Sequence, residues 1–204
     1  MMTYTTQYIE EAIQILRQLD DDAIERMVLL LDDLRKRGGR LFLIGAGGGA
    51  GHASHAVCDF RKVVGIEAYT PGDNVSELTA RVNDDGWDTT FVNWLKVSRL
   101  REGDMVFVFS VGGGDAEKNI SPNIVLALKH ARQVGAKICG IVGRGGGYTA
   151  RVADAYVIVP TVNQATVTAH TEAFQALVWH LLVSHPTLRA SEMKWESVKE
   201  KGEE

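Results

Sequence analysis

The sequence predicts an α/β fold, a doubly wound five-stranded parallel sheet preceded by an N-terminal helical hairpin. Two observations carry that expectation. Short apolar runs of strand length recur along the chain and most break into glycine-rich loops, and stretches with helical spacing follow them. Two such helical stretches also precede the first strand. Strands that alternate with helices are joined by crossovers, which makes the sheet parallel and covers both of its faces.

The elements follow in order. Ile9, Ala12, Ile13 and Leu16 recur at helical spacing, as do Ile24, Met27, Val28, Leu31 and Leu34, so residues 5–36 read as two amphipathic helices. Asp20, Asp21 and Asp22 break them and offer an N-cap, and Gly38 and Gly39 end the second. Two helices before any strand cannot bury their apolar faces alone, so they should pack on the domain or on another subunit. Strands are expected at residues 41–44, 66–69, 105–109, 137–142 and 155–160, and helices at 50–63, 121–134 and 167–183. Ser121-Pro122 supplies an N-cap and N1 for one of these helices. The whole chain, 1–204, is expected to form a single domain: hairpin 1–38, α/β core 39–186, and a charged tail 187–204 that is a short helix or frayed.

Composition excludes several classes. The net charge of −4 gives no basic footprint, so no nucleic-acid partner is expected. The longest apolar runs are strand-sized, so no membrane-spanning helix is expected, and residues 1–10 lack the features of a signal peptide. Cys58 and Cys139 are isolated, which disfavours a disulfide framework and makes a reducing cytoplasm the expected location.

Chemistry concentrates in two kinds of feature. Gly45-Ala46-Gly47-Gly48-Gly49-Ala50-Gly51 follows the first strand and opens a helix, where backbone N–H groups can approach an anion. It also satisfies a dinucleotide fingerprint with Glu67 downstream, but the chain is short for a dehydrogenase with its own substrate domain, and no nucleotide cofactor is expected. Ser110-Val111-Gly112-Gly113-Gly114 follows the third strand, with Ser121 at the next helix start. Two glycine-rich strand ends on one sheet suggest an anionic ligand between them. Gly143-Arg144-Gly145-Gly146-Gly147 reads as a turn with Arg144 solvated.

The second feature is a pair of histidine–carboxylate pairs. His55 and Asp59 lie four residues apart on one helical face, and Glu172 and His180 lie eight apart on another. If the two helices meet, His55, Asp59, Glu172 and His180 form a ligand set suited to zinc or another divalent metal. His52, His130 and His185 read as structural, His170 as a candidate for the pocket wall, and Trp179 as packing.

On these residues the chain resembles the SIS (sugar isomerase) domain proteins, specifically the phosphoheptose isomerase branch. The family's first loop, Gly-Asn-Gly-Gly-Ser, stands here as Gly45-Ala46-Gly47-Gly48-Gly49, and its His-x-x-x-Glu stands as His55 and Asp59. Its Gln and His, eight apart on the last helix, stand as Glu172 and His180. Asp73 resembles the family's substrate-contacting aspartate, and Asn83-Asp84 its Asn-Asp turn. The serine-rich phosphate loop is reduced to Ser110-Val111-Gly112-Gly113-Gly114, so Ser110, Ser121, Lys118 and backbone N–H groups would replace the lost hydroxyls. The resemblance implies a flavodoxin-like sheet, a sugar-phosphate substrate, and Asp59 and His180 as catalytic base and acid. It also implies a homotetramer with sites between subunits, with Trp87 approaching a neighbour's site. An alternative is a non-catalytic phosphosugar-binding regulator or a scaffold that binds a replication initiator.

Overall fold

The computed structural model describes residues 2–198. Helices α1 (Tyr4–Gln18) and α2 (Asp21–Lys36) form the hairpin. Asp20 caps α2, its Oδ1 accepting from the Ala23 N–H at 2.9 Å. Asp21 and Asp22 in the first turn and Arg35 and Lys36 in the last suit the helix dipole. Ile24, Met27, Val28, Leu31 and Leu34 are all buried in the core beneath the sheet. Each such side chain contributes about 1.5–3 kcal/mol of burial. In α1, Glu11 and Ile15 are the buried positions.

Strands β1 (Leu41–Gly45), β2 (Ala68–Tyr69), β3 (Met105–Ser110), β4 (Lys137–Gly143) and β5 (Ala155–Val159) form one parallel sheet in the order β2-β1-β3-β4-β5. Along β3, Met105, Phe107 and Phe109 join the core shared with the hairpin, while Val106 and Val108 join a second core on the opposite face. Both faces are therefore covered, as the continuous apolar runs require. The chain turns one way from β1 to β2 and places β3 on the other side of β1. That reversal opens a crevice at the carboxyl ends of β1 and β3, where ligands bind in open α/β sheets.

The other helices are α3 (Gly48–Asp59), α4 (Val75–Asp85), α5 (Thr90–Val97), α6 (Pro122–Gln133), α7 (Gly147–Val152), α8 (Val167–Ser184) and α9 (Lys194–Ser197). Three of these, α4, α5 and α7, lie outside the predicted pattern. Helix α4 has Val75, Leu78 and Val82 at helical spacing but buries none of them within this chain, and α5 and α7 are short. The expected helix 50–63 is α-helical only to Asp59; Phe60–Val64 is a π-helical turn closed by left-handed Gly65. The Ile66 N–H goes back to the Phe60 carbonyl, which shortens the second strand to two residues. The early tail docks rather than frays: Leu188 is fully buried, and Arg35 donates to the carbonyls of Thr187 and Leu188. Residues 199–204 of the predicted tail lie outside the described residues. Among the described residues no helix is long and apolar enough to cross a membrane.

Candidate active site

Helices α3 and α8 pack against each other beside the carboxyl ends of β1 and β3 and bring three predicted groups together. Asp59 Oδ2 lies 3.7 Å from His55 Nε2 and 3.7 Å from His180 Nε2. The i, i+4 spacing on α3 sets the first contact, and helix packing sets the second. The His180 Nδ1–H donates to the Ala176 carbonyl at 2.8 Å, so in the neutral ring Nε2 carries the lone pair that faces Asp59. The Trp179 indole N–H donates to the same Asp59 oxygen at 3.2 Å, while its ring packs on Phe109. Reading Trp179 as packing captured the ring and missed the N–H.

His55, Asp59 and His180 each offer a ligand atom, and these atoms lie within 4.8 Å of one another. Tetrahedral coordination at 2.0–2.1 Å separates neighbouring ligand atoms by about 3.4 Å, close to the observed spacing. The fixed His180 tautomer is also the arrangement in which metal-bound histidines are held. The donor set fits a divalent ion. Glu172 does not join this cluster. Eight residues along α8 are roughly 12 Å of axial rise, and its carboxylate lies over Gly48 at the start of α3, where a methyl group would overlap it. The two histidine–carboxylate pairs thus mark two neighbouring regions rather than one ligand set.

Glu172 instead lines a cavity of about 320 Å³ together with Gly49, Ser110, Gly112, Ser121 and Arg144. Its walls come from the loops after β1, β3 and β4 and from α8, so it sits in the crevice between β1 and β3. Gly47 is the N-cap of α3 at φ 58°, and Gly48 begins the helix. Ser110 Oγ accepts from the Gly113 N–H at 3.0 Å. Ser121 precedes α6 in a left-handed conformation, φ 50°, and makes no side-chain cap.

Several predicted residues sit elsewhere. The carbonyls of Gly113 and Gly114 turn away from the cavity to accept from Thr149 and Tyr148 at the start of α7. A methyl group at Gly113 would overlap the Gly146 carbonyl, so close loop-to-loop contact accounts for glycine there. Lys118 lies in the 115–120 loop, closed by paired backbone bonds between Asp115 and Ile120. Asp73 accepts from Ser54 Oγ at 3.0 Å and lines a separate cleft with Tyr69 and Trp94. Asn83 and Asp84 occupy the last turn of α4, bonded to each other at 2.8 Å, rather than a loop turn. Trp87 is 41% exposed and packs edge-on against Phe91.

His170 is not on the pocket wall. Its Nε2–H donates to Glu11 Oε2 at 2.9 Å beneath α1, and its ring stacks on Tyr8. Arg144 is exposed, as its reading as a solvated residue expects, and it also lines the cavity. His52 lies between Phe109 and Trp179 with a buried, unpartnered Nε2, and burial pushes its pKa down.

The SIS domain family profile matches residues 7–143. A phosphoheptose isomerase from Chlorobaculum parvum is 30% identical over 171 residues, covering 80% of this chain and 77% of the relative. Another from Citrifermentans bemidjiense is 34% identical over 147 residues, covering 68% and 71%. Among solved structures, a phosphoheptose isomerase from Francisella tularensis superposes with a TM-score of 0.76 at 22% identity, covering 89% of this chain and 97% of that one, a likeness of fold. With two thirds of the chain matched and relatives at 30% identity or more, the chain belongs to the SIS domain family, in its phosphoheptose isomerase branch.

Proposed function

We propose that this chain is a sugar-phosphate aldose–ketose isomerase that interconverts sedoheptulose 7-phosphate and D-glycero-D-manno-heptose 7-phosphate. The observation that carries the reading is Asp59 held between His55 and His180 on α3 and α8, the two helices that also give Gly49 and Glu172 to the cavity at the sheet's switch point. Isomerisation requires removal of a proton from the carbon next to the carbonyl and protonation of the resulting enediol. Asp59 Oδ2 is engaged by Trp179 and faces both histidines, which leaves Oδ1 as the oxygen free to take that proton. His180, when doubly protonated, can donate from Nε2 to the substrate oxygen. A zinc or similar ion held by His55, Asp59 and His180 would take the place of that Nε2 proton and stabilise negative charge on the substrate oxygen itself. Gly47, Gly48, Gly49, Ser110, Gly112 and Ser121 would line the path of the phosphorylated chain. Asp73, Asn83 and Asp84, remote from the cavity within this subunit, would have to serve a neighbouring one.

The same reading places the enzyme in the cytoplasm as a homotetramer. Ile9 and Leu16 on α1 and Leu177 and Leu181 on α8 are exposed apolar side chains, which a helical interface would cover. Light scattering would return the mass of four chains, and a monomer would remove that part of the proposal.

The reaction is tested by incubating the protein with sedoheptulose 7-phosphate in deuterated water. Deuterium should enter the carbon next to the carbonyl as the aldose forms. Asp59→Asn should slow that exchange by about 10²–10⁴-fold, the range for loss of a general base. A folded wild type that exchanges no proton from any sugar phosphate tried would favour the regulator or scaffold.

A further inference from the structure

Arg144 follows β4 in a backbone conformation rare for a residue with a side chain, φ 54°. Its neighbours fix it there: the Gly143 N–H donates to Val111, and the Gly146 N–H donates to Gly143, both at 3.0 Å. Arg144 is exposed and lines the cavity, and among the described residues it forms no ion pair, whereas nearby Arg151 reaches Glu117 at 3.9 Å. Of the cavity-lining residues it is the one cation, and Glu172 the one anion.

A second observation points to a ligand in the same space. Gln175 also lines the cavity and is fully buried. Its Nε2 is committed to the Ile141 carbonyl at 2.9 Å, while its Oε1 is buried without a partner. Buried acceptors are ordinarily satisfied, so this oxygen is suited to a donor that arrives with the ligand.

We propose that Arg144 is the anion-binding residue of this cavity, taking the phosphoryl group of a phosphorylated polyol while Gln175 Oε1 accepts a hydroxyl of the same molecule. The assignment rests on the isomerase reading and adds to it the residue that replaces the missing loop hydroxyls. Charge sets the ligand's direction. The guanidinium attracts the phosphoryl oxygens and offers paired donors to them, whereas the Glu172 carboxylate repels them and accepts hydroxyl protons. The phosphoryl end therefore lies toward Arg144, and the hydroxylated stem runs past Gln175 and Glu172 toward Asp59.

Calorimetric titration with inorganic phosphate and with sedoheptulose 7-phosphate tests this, alongside isomerase kinetics. Arg144→Gly removes the guanidinium and relieves the left-handed backbone, so folding should not suffer. It should weaken both ligands by roughly ten- to hundredfold, the range for hydrogen bonds to charged groups, and raise KM with kcat within about threefold. Arg144→Lys should recover part of that affinity. Gln175→Met should weaken the sugar phosphate but not inorganic phosphate. Phosphate affinity unchanged in Arg144→Gly, or no saturable phosphate binding to the wild type, would overturn the assignment. A wild type that binds phosphate through Arg144 but isomerises nothing would overturn the isomerase reading and leave this one standing.

Discussion

The indole N–H of Trp179 donates to Asp59 Oδ2 across 3.2 Å, and that same oxygen faces His55 and His180 at 3.7 Å each. Trp179 therefore fixes which carboxylate oxygen meets the histidines. Trp179→Phe keeps an aromatic ring against Phe109 and deletes the donor together with the indole's second ring. Loss of one hydrogen bond to a charged group is worth roughly 1.5–3 kcal/mol, so kcat should fall about ten- to hundredfold while KM moves little. Steady-state kinetics with a sugar phosphate would show it. An unchanged kcat would mean that the histidines alone hold Asp59.

The three-residue cluster makes a separate prediction for metal. Zinc titrated into metal-free protein should bind at one site per chain, and Asp59→Ala or His180→Ala should weaken it at least about tenfold, as loss of a ligand or its orienting partner does. Glu172→Gln should leave the affinity nearly unchanged, because its carboxylate sits over Gly48 instead of in the cluster. Equal loss in the Glu172 variant would place that residue among the ligands.

Gly113 provides a structural test. Its φ is 70°, and any Cβ there would collide with the Gly146 carbonyl. Overpacking and left-handed strain together cost about 2–4 kcal/mol. At this chain length that lowers Tm by roughly 5–15 °C. Calorimetry on Gly113→Ala would detect it. A melting point within a degree of wild type would show that the loops can separate freely.

How much of this was legible in the sequence depended on whether the signal was local. The strands declared themselves as apolar runs, and His55 and Asp59 share a face through helical periodicity alone. Helix α4 went unread although Val75, Leu78 and Val82 share a face, because three apolar residues in a short polar segment make a weak stripe. The glycines at 112–114 looked like a phosphate cradle. Gly113 instead answers to Gly146, a contact invisible until β3 and β4 are laid side by side. Arg144 among glycines carries no pattern of its own, and only the sheet places it in the cavity. Eight residues on a helix gave the shared face of Glu172 and His180, but a shared face is not a shared site.

Glu11 and His170, 159 residues apart, form another histidine–carboxylate pair, and they predict the response to acid. Glu11 accepts from Asn163, Gln7, His170 and Thr166, and these hydrogen bonds pull its pKa from 4.5 down to about 2. Between those two values the unfolded chain binds a proton that the folded chain does not, so stability rises with pH across that window. The stabilisation is fully present above about pH 4.5 and fades as pH falls toward 2. Glu11→Gln keeps the shape and removes the charge. Its Tm should lie below wild type at neutral pH, and the gap should narrow once the buffer is acidified below about pH 4.5 and go on closing toward pH 2. A gap that stays constant from neutral pH to pH 3 would show that the carboxylate charge does not hold α1 to the start of α8.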